Sequence, residues 1–350
     1  RMSEKVTALQ VAQRAGVSQS AVSRVFTPGA SVSEKMATKV REAAEELGYR
    51  PNILARAMVS GRSRIVGFVV AYLDNYFYPE AIEKLSNAMQ AEGYHVLMFM
   101  ASQTTGNIDD VVDEILDYQI DGLIFASVAL SSTIVARCQA AGVPMILFNR
   151  RQDMEGVSSI TSDNFAGGRK VGEYLINCGH RRIGYIAGWE GASTQRDREA
   201  GLMAALTAHD IPLFAREVGN FRKEGAIEAA RAMFDVPVNE RPDAVFVAND
   251  HMAFFVLDVL RYELGLKVSD DVAIIGYDDV PPASWPAYDL TTVRQRSNTM
   301  VQETVETFIR QIEDPADFSP RQVAIDGPLV LRSTSHSLPL KGKAEKNAGL

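Results

Sequence analysis

The residues with the clearest chemical potential lie near the start of the chain, on one face of a short predicted helix. The outward face carries an amide, hydroxyls and a guanidinium and no acid; these side chains are those of Gln19, Ser20, Ser23 and Arg24. Such groups hydrogen-bond base edges and phosphates, so the face favours insertion into the DNA major groove. A small helical hairpin that merely packs is the alternative.

A second set of polar and aromatic residues follows the predicted strands of the long remaining segment. Its members are Asp74–Phe77, Asn149–Arg151, Asp163–Asn164, Arg198, Phe221, Asn249–Asp250 and Asp278–Asp279. Rings for stacking, amides, a guanidinium and carboxylates are suited to binding a polyhydroxylated ring. The alternative is that these residues are helix caps and surface charges.

The elements that position the first set are two short helices around a tight turn. Thr7 is a natural N-cap, Gly16 suits a left-handed helix stop, and Ser18 caps the second helix. Ser33 and Gly48 bound a third amphipathic helix. The pattern predicts an all-α helix-turn-helix headpiece.

The elements that position the second set alternate between short β-branched runs and helical patterns. Strands are predicted at 65–71, 96–100, 122–126, 145–148, 183–187, 244–248 and 272–276, and helices at 79–93, 108–118, 133–141, 166–178, 198–209, 224–234 and 253–264. Such alternation indicates parallel sheets covered on both faces, with ligands bound beyond the carboxyl ends of the strands. Two rounds of it predict two similar α/β lobes.

The charge distribution separates the two parts of the chain. Residues 1–64 hold eleven basic and five acidic side chains, a net charge of +6. The rest of the chain has a net charge of −14, and the two parts together give the total of −8. A basic head on an acidic body fits a DNA-binding module attached to a domain that does not bind DNA.

Several classes of protein are disfavoured by what the sequence lacks. Two cysteines, Cys138 and Cys178, argue against a disulfide framework. The five histidines lack metal-ligand spacing, and no phosphate-binding glycine loop or catalytic pair is present, so we expect no metal, no cofactor and no enzyme. Without a signal peptide or a membrane-spanning run, a cytoplasmic location is expected.

The motifs together resemble one family. The pattern Val-Ala…Ala-Gly-Val-Ser…Val-Ser-Arg-Val at 11–25 and the ending Leu-Arg-Ser-Thr at 331–334 are similar to those of the lactose/galactose-repressor family of bacterial transcription regulators. The resemblance implies a headpiece at 1–50, a hinge helix and linker at 51–62, and a two-lobed, periplasmic-binding-protein-like domain at 63–340 for effector binding and dimerisation. Lobe one would comprise about 63–162 and 294–323, and lobe two about 163–293 and 324–340, before a disordered tail at 341–350.

The resemblance also implies roles for individual residues on DNA. Gln19, Ser20 and Arg24 would face base edges, and Thr7, Ser18 and Ser23 would contact phosphates of a pseudo-palindromic operator bound by a homodimer. The hinge residues Asn52, Ala55 and Met58 would enter the minor groove, with Met58 as an apolar wedge where the family typically has leucine.

From the strand-end set, the family motifs favour Arg198, Phe221, Asn249 and Asp278 as effector-binding residues. Phe77, Asn149 and Asp163 are expected in the same pocket from their positions after the predicted strands. The resemblance implies a repressor of a carbohydrate operon whose effector is a neutral sugar, with a sugar acid or phosphate still open because of Arg198 and Arg150. A sugar receptor of the same fold without DNA function is the main rival. Whether the effector releases or recruits DNA, and whether the protein is a dimer or tetramer, stays open.

Overall fold

The N-terminal unit is a three-helix cluster. The computed structural model describes residues 5–27, 29–51, 61–101, 108–152 and 154–336. Helices α1 (Ala8–Ala15), α2 (Gln19–Val25) and α3 (Glu34–Leu47) pack around a small core. Its fully buried members are Val11, Ala12, Val22, Val40, Ala43 and Ala44. The predicted headpiece helices are therefore confirmed.

The predicted helix boundaries rest on observed caps. The Thr7 hydroxyl accepts the Gln10 amide N–H in a capping box, and Ser18 accepts the Ala21 N–H. Gly16 ends α1 in the left-handed region at φ 66°, which glycine adopts without steric cost. Ser33 stands at the N-cap position of α3, as predicted, although its side chain makes no capping hydrogen bond in the described structure.

The rest of the chain builds two α/β lobes, and the first is centred on a six-stranded sheet. Its strands run in the order β11-β5-β4-β3-β1-β2, and the pairs whose registers are defined are parallel. The elements are β1 (Ile65–Val70), α4 (Phe77–Ala91), β2 (His95–Met100), α5 (Ile108–Leu116), β3 (Gly122–Ala126), α6 (Ser132–Ala140), β4 (Met145–Phe148) and β5 (Ser158–Ser162). Two later elements, α11 (Ser297–Glu313) and β11 (Gln322–Ile325), complete this lobe.

The second lobe repeats the architecture around the order β12-β10-β9-β8-β6-β7. Its elements are α7 (Asn164–Asn177), β6 (Ile183–Ala187), α8 (Ser193–Ala208), β7 (Ala215–Val218), α9 (Lys223–Phe234), β8 (Ala244–Val247), α10 (Asp250–Asp258), β9 (Ala273–Asp278), β10 (Thr291–Arg294) and β12 (Leu329–Val330). Only the short β12 pairs antiparallel, with β10, among the strand pairs described. The predicted two-lobed fold with parallel sheets is confirmed.

The sequence analysis missed five strands, and the reason is clearest for β5. This strand reads Ser-Ser-Ile-Thr-Ser and is fully buried between β4 and β11, although four of its five side chains are hydroxyls. Because β11 belongs to the first sheet, the chain crosses to the second lobe after Ile325, two residues later than the expected boundary near 323. The other missed strands are β7, β10, β11 and β12.

Both cysteines, Cys138 and Cys178, are buried, and no disulfide joins them. In the described part of the chain, no helix is long and apolar enough to cross a membrane. Within the same residues, no group of three or more histidine, cysteine and carboxylate side chains is arranged to hold a metal ion.

Candidate nucleic-acid interface and ligand cleft

Helix α2 presents the predicted polar face to solvent. All four of its outward residues are exposed: Gln19, Ser20, Ser23 and Arg24. Ala21 and Val22 are buried on the opposite side, which fixes the rotation of the helix. The face therefore has the composition and the exposure that reading a DNA groove requires.

The basic groups of the headpiece differ in how far they are neutralised. The Arg14 guanidinium lies 2.7 Å from a Glu46 carboxylate oxygen and is thereby paired across α1 and α3. Arg24 has no ion pair in the described structure, so its charge is available to a ligand. The Thr7 and Ser18 hydroxyls already serve as helix caps. The Thr7 hydroxyl also donates to Gln10 Oε1 at 3.2 Å, and the Ser18 hydroxyl shares a hydrogen bond with the Ser20 hydroxyl at 2.9 Å. The predicted hinge contacts Asn52, Ala55 and Met58 lie outside the described residues.

Arg198 is the centre of the polar cluster in the second lobe. It lies on α8, is 2% exposed, and its guanidinium sits 3.7 Å from the centroid of the Tyr277 ring. Its Nε donates to Asn164 Oδ1 at 2.9 Å, and one terminal nitrogen donates to the Ala248 carbonyl oxygen at 2.6 Å. The other terminal nitrogen lies 3.3 Å from Asp278 Oδ1. The guanidinium is therefore held in one orientation, and its positive charge is paired with the Asp278 carboxylate.

Asp278 ends β9 and brings an acidic group to the same point. Its backbone φ of 123° turns the chain away from the sheet. Its carboxylate also accepts a hydrogen bond from Gln295 Nε2 at 2.7 Å and one from the Asn75 side chain. Burial raises the pKa of Asp278 above its ordinary value, and Arg198 and these hydrogen bonds, which favour the charged form, offset only part of that rise. Asn75 belongs to the first lobe, so this carboxylate joins the two lobes.

The carboxyl end of β4 supplies unsatisfied polar atoms from the first lobe. Asn149, at φ 63°, donates from Nδ2 to the Tyr78 hydroxyl at 3.1 Å, but its Oδ1 is buried without a partner in the described structure. Next to it, Arg150 is 5% exposed and its Nε is likewise unpaired there. Its guanidinium lies 5.5 Å from the Trp189 ring centroid of the second lobe. An acceptor and a donor without protein partners match what a hydroxyl group supplies.

Two of the predicted effector residues have structural roles that the sequence analysis offered as alternatives. Asn249 caps α10 by accepting the Met252 N–H at 3.0 Å and is 2% exposed. Asp163 caps α7 by accepting the Ala166 N–H at 2.9 Å. Their contact with an effector stays a prediction.

The two predicted aromatic residues lie in or next to the connections that follow β1 and β7. Phe77 opens α4 and its ring is stacked with Phe148, with centroids 6.2 Å apart and planes inclined by 13°. Phe221, at φ 60°, lays its ring against the backbone of Gly188, where any side chain would collide with it. Both rings are largely buried, at 5% and 8% exposure.

Two cavities open between the lobes. One, of about 350 Å³, is lined by Phe77 and Asp278 of the predicted set and by Lys84, Arg294 and Gln295. The other, of about 340 Å³, has its own polar lining: Arg151, Gln152, Ser193, Arg196 and Asp197, with Leu130 and Met154. The remaining predicted effector residues line neither of these two cavities.

Several residues in the cluster were not predicted as effector ligands. Asn164, Gln295 and Asn75 hold Arg198 or Asp278, and Tyr277 lies under the guanidinium. Asn164 and Asn75 belong to the wider strand-end set but not to the seven residues selected from it. Gln295 and Tyr277 carried no sequence signal, because a glutamine after a short strand and a tyrosine inside one are common.

Comparison with known proteins extends over most of the chain. Residues 7–52 match the family model described as bacterial regulatory proteins, lacI family, and residues 173–335 match a periplasmic binding protein-like domain. The ribose operon repressor of Escherichia coli (strain K12) is 31% identical over 315 residues, spanning 88% of this chain and 94% of the relative.

Two solved structures support the same relationship. One is the Lac repressor dimer bound to operator and the anti-inducer ONPF, at a TM-score of 0.83 and 27% identity over 95% of this chain and 100% of that one. The other is a complex of the transcriptional regulator CelR with cellobiose, at a TM-score of 0.71 and 28% identity with the same two coverages.

Proposed function

Because the chain belongs to the lacI family of bacterial regulatory proteins and is a ligand-responsive, DNA-binding transcriptional regulator, we propose that it represses a carbohydrate operon under the control of a neutral sugar. The observation that carries the DNA part is the exposed, acid-free face of α2 with its unpaired Arg24. We place Gln19, Ser20 and Arg24 at base edges, and Ser18 at a phosphate with Thr7 and Ser23. Two headpieces of a homodimer would bind the half-sites of a pseudo-palindrome.

The choice of a neutral sugar rests on the charges of the cleft. Arg198 is already matched by Asp278, so an anionic ligand would compete with a buried carboxylate for the same guanidinium. The unpaired atoms of Asn149 and Arg150 offer one acceptor and one donor, which neighbouring hydroxyls of a sugar can satisfy. The relatives named for ribose and the structure containing cellobiose point to the same class of ligand.

A receptor or an enzyme on the same fold is less well supported. The match of residues 7–52 to a regulatory-protein family gives the headpiece a function that a pure sugar receptor would not need. Arg198 and Asp278 are mutual partners and Asn249 is a helix cap, so we infer that the chain binds its ligand without transforming it. We further infer that it acts in the cytoplasm, since that is where its operator is.

Calorimetry with matched ligands tests the effector class. D-Ribose, D-galactose and D-glucose would be compared with ribose 5-phosphate and D-galacturonate on the full chain. The proposal predicts binding of at least one neutral sugar and weaker binding of its charged counterpart. Preference for the phosphate or the uronate would assign the unpaired Arg150 Nε to an anion and overturn the neutral-sugar proposal.

A further inference from the structure

The two lobes touch on one side of the cleft through residues that are not among the seven predicted effector ligands. Asp74 and Tyr76 come from the loop between β1 and α4 in the first lobe. Asp74 Oδ2 lies 3.7 Å from His251 Nε2, and the Tyr76 ring meets the Trp285 ring edge to face, at 6.5 Å between centroids and 74° between planes. His251 and Trp285 belong to the second lobe. We call these four residues the clasp.

His251 is the titratable member of the clasp that is shielded from solvent. It is the second residue of α10, is 7% exposed, and its ring packs edge-on against Phe255 at 5.3 Å. Its Nε2 is buried and makes no hydrogen bond in the described structure, since Asp74 at 3.7 Å is too distant for one. A solvated imidazole would satisfy that nitrogen with water, so closing the lobes removes a partner from it.

The charged groups around His251 come from three elements. Asp74 faces it from the first lobe and is 67% exposed, so water screens much of its charge. Asp250 precedes it on α10, but that carboxylate accepts from the Thr292 hydroxyl at 2.6 Å and the Val280 N–H at 3.1 Å. Lys223 of α9 lies 5.6 Å from the Phe255 ring centroid and adds a positive charge on that side.

We propose that the clasp makes closure of the cleft sensitive to pH, because His251 must be neutral for the lobes to close fully and its protonation favours their separation. The inference rests on the proposed function only in taking this cleft as the effector site. Acid would then weaken effector binding and, through it, the response of DNA binding to the effector.

The direction follows from the two states of the imidazole. Burial lowers the pKa of His251 in the closed arrangement, and the charge of Asp74 offsets only part of that effect. When the lobes separate, the ring is solvated and its pKa returns to the ordinary value of about 6.5. Between those two values the open form binds a proton that the closed form does not. Closure is therefore favoured above about pH 6.5 and is lost progressively as the pH falls below it.

Spin-label distance measurement tests the clasp without any sugar or DNA. Nitroxides on Glu114→Cys of α5 and Glu228→Cys of α9, both exposed, report the separation of the lobes once Cys138 and Cys178 are replaced by alanine. Labelled chains are diluted into excess unlabelled protein so that only distances within one chain are measured. Failure to find a sugar ligand would leave this result unaffected.

The closed-to-open ratio should fall by up to about tenfold per pH unit as the pH is lowered from about 6.5. In His251→Gln, or His251→Asn if the first variant does not fold, the ratio should be flat. His209→Gln, which removes a half-exposed histidine of the same lobe, should behave as the parent does. Asp74→Asn should enlarge the fall, since the charge that favours imidazolium is gone. A flat profile in the parent, or an unchanged profile in His251→Gln, would overturn the proposal.

Discussion

At the scale of single residues, Arg24 is the side chain that most clearly separates base reading from general attraction to DNA. Arg24→Ala should weaken operator binding by about 1–3 kcal/mol and relax preference at one base position, since a bidentate arginine–guanine contact is worth about that much. Gel shifts on a panel of single-base operator variants measure both effects.

Arg14→Ala is the matched control, because it removes the same charge from a guanidinium that Glu46 already neutralises. It should leave the base-preference profile of the operator panel unchanged. If Arg24→Ala also leaves that profile unchanged, Arg24 does not read a base.

Arg198 allows a second prediction at this scale, because its charge is buried and shared. Arg198→Ala should abolish effector binding and lower the free energy of unfolding by about 3–5 kcal/mol, since Asp278 would be left buried without its cation. Arg216→Ala removes a more exposed arginine of the same lobe, which pairs with Glu199, and should cost about 0–1 kcal/mol. Urea denaturation and calorimetry measure the two effects. Effector affinity that survives in Arg198→Ala would remove this residue from the site.

The site residues that could be predicted from the sequence were those at the ends of helices and strands. Arg198 and Asp278 were predicted for the effector site, and the structure brings their side chains within 3.3 Å of each other. Gln295 reaches Asp278 from 17 residues further along the chain, because it directly follows β10, the strand that pairs with β9. Contacts of that kind depend on tertiary packing, and no local spacing of residue types in the sequence indicates them.

At the scale of elements, one substitution at the N-terminus of α10 can separate the capping role of Asn249 from its predicted effector contact. Asn249 caps this helix, and an effector contact has also been predicted for it. Asn249→Ser should keep the cap, because serine is about as good an N-cap as asparagine. The shorter side chain would not reach an effector, so thermal stability should be retained while effector affinity falls. Asn249→Ala, which loses the cap too, should cost about 1 kcal/mol more. Unchanged effector affinity in the serine variant would leave Asn249 a cap only.

Elements with a regular apolar pattern were predictable, and those without it were not. The strands β3, β4 and β6 were predicted with their observed limits, since each is a short apolar run between turns. The strand β5 was missed because hydroxyl side chains dominate it and their burial is compensated by partners that lie just before β11 and α11. Ser162 donates to Gln295, and Ser158 accepts from the Arg321 N–H. Such compensation exists only in the folded chain.

At the scale of the whole molecule, the division of charge and of pattern was visible in the sequence. The basic headpiece and the acidic two-lobed body follow from counting charges and from the switch between helical and alternating patterns. What counting could not show is how the lobes meet. The cavities, the clasp and the link from Asn75 to Asp278 all depend on side chains from both lobes.

The central claim is that a sugar in the cleft changes the affinity of the chain for DNA. The most direct measurement is fluorescence anisotropy of the duplex that the full chain selects from a random library, with and without the neutral sugar that binds in calorimetry. We predict that the sugar changes operator affinity by about 5- to 150-fold, the usual range for coupled sites, and that Asp278→Asn binds operator without responding. Equal affinity of the parent chain with and without a saturating sugar would contradict the account.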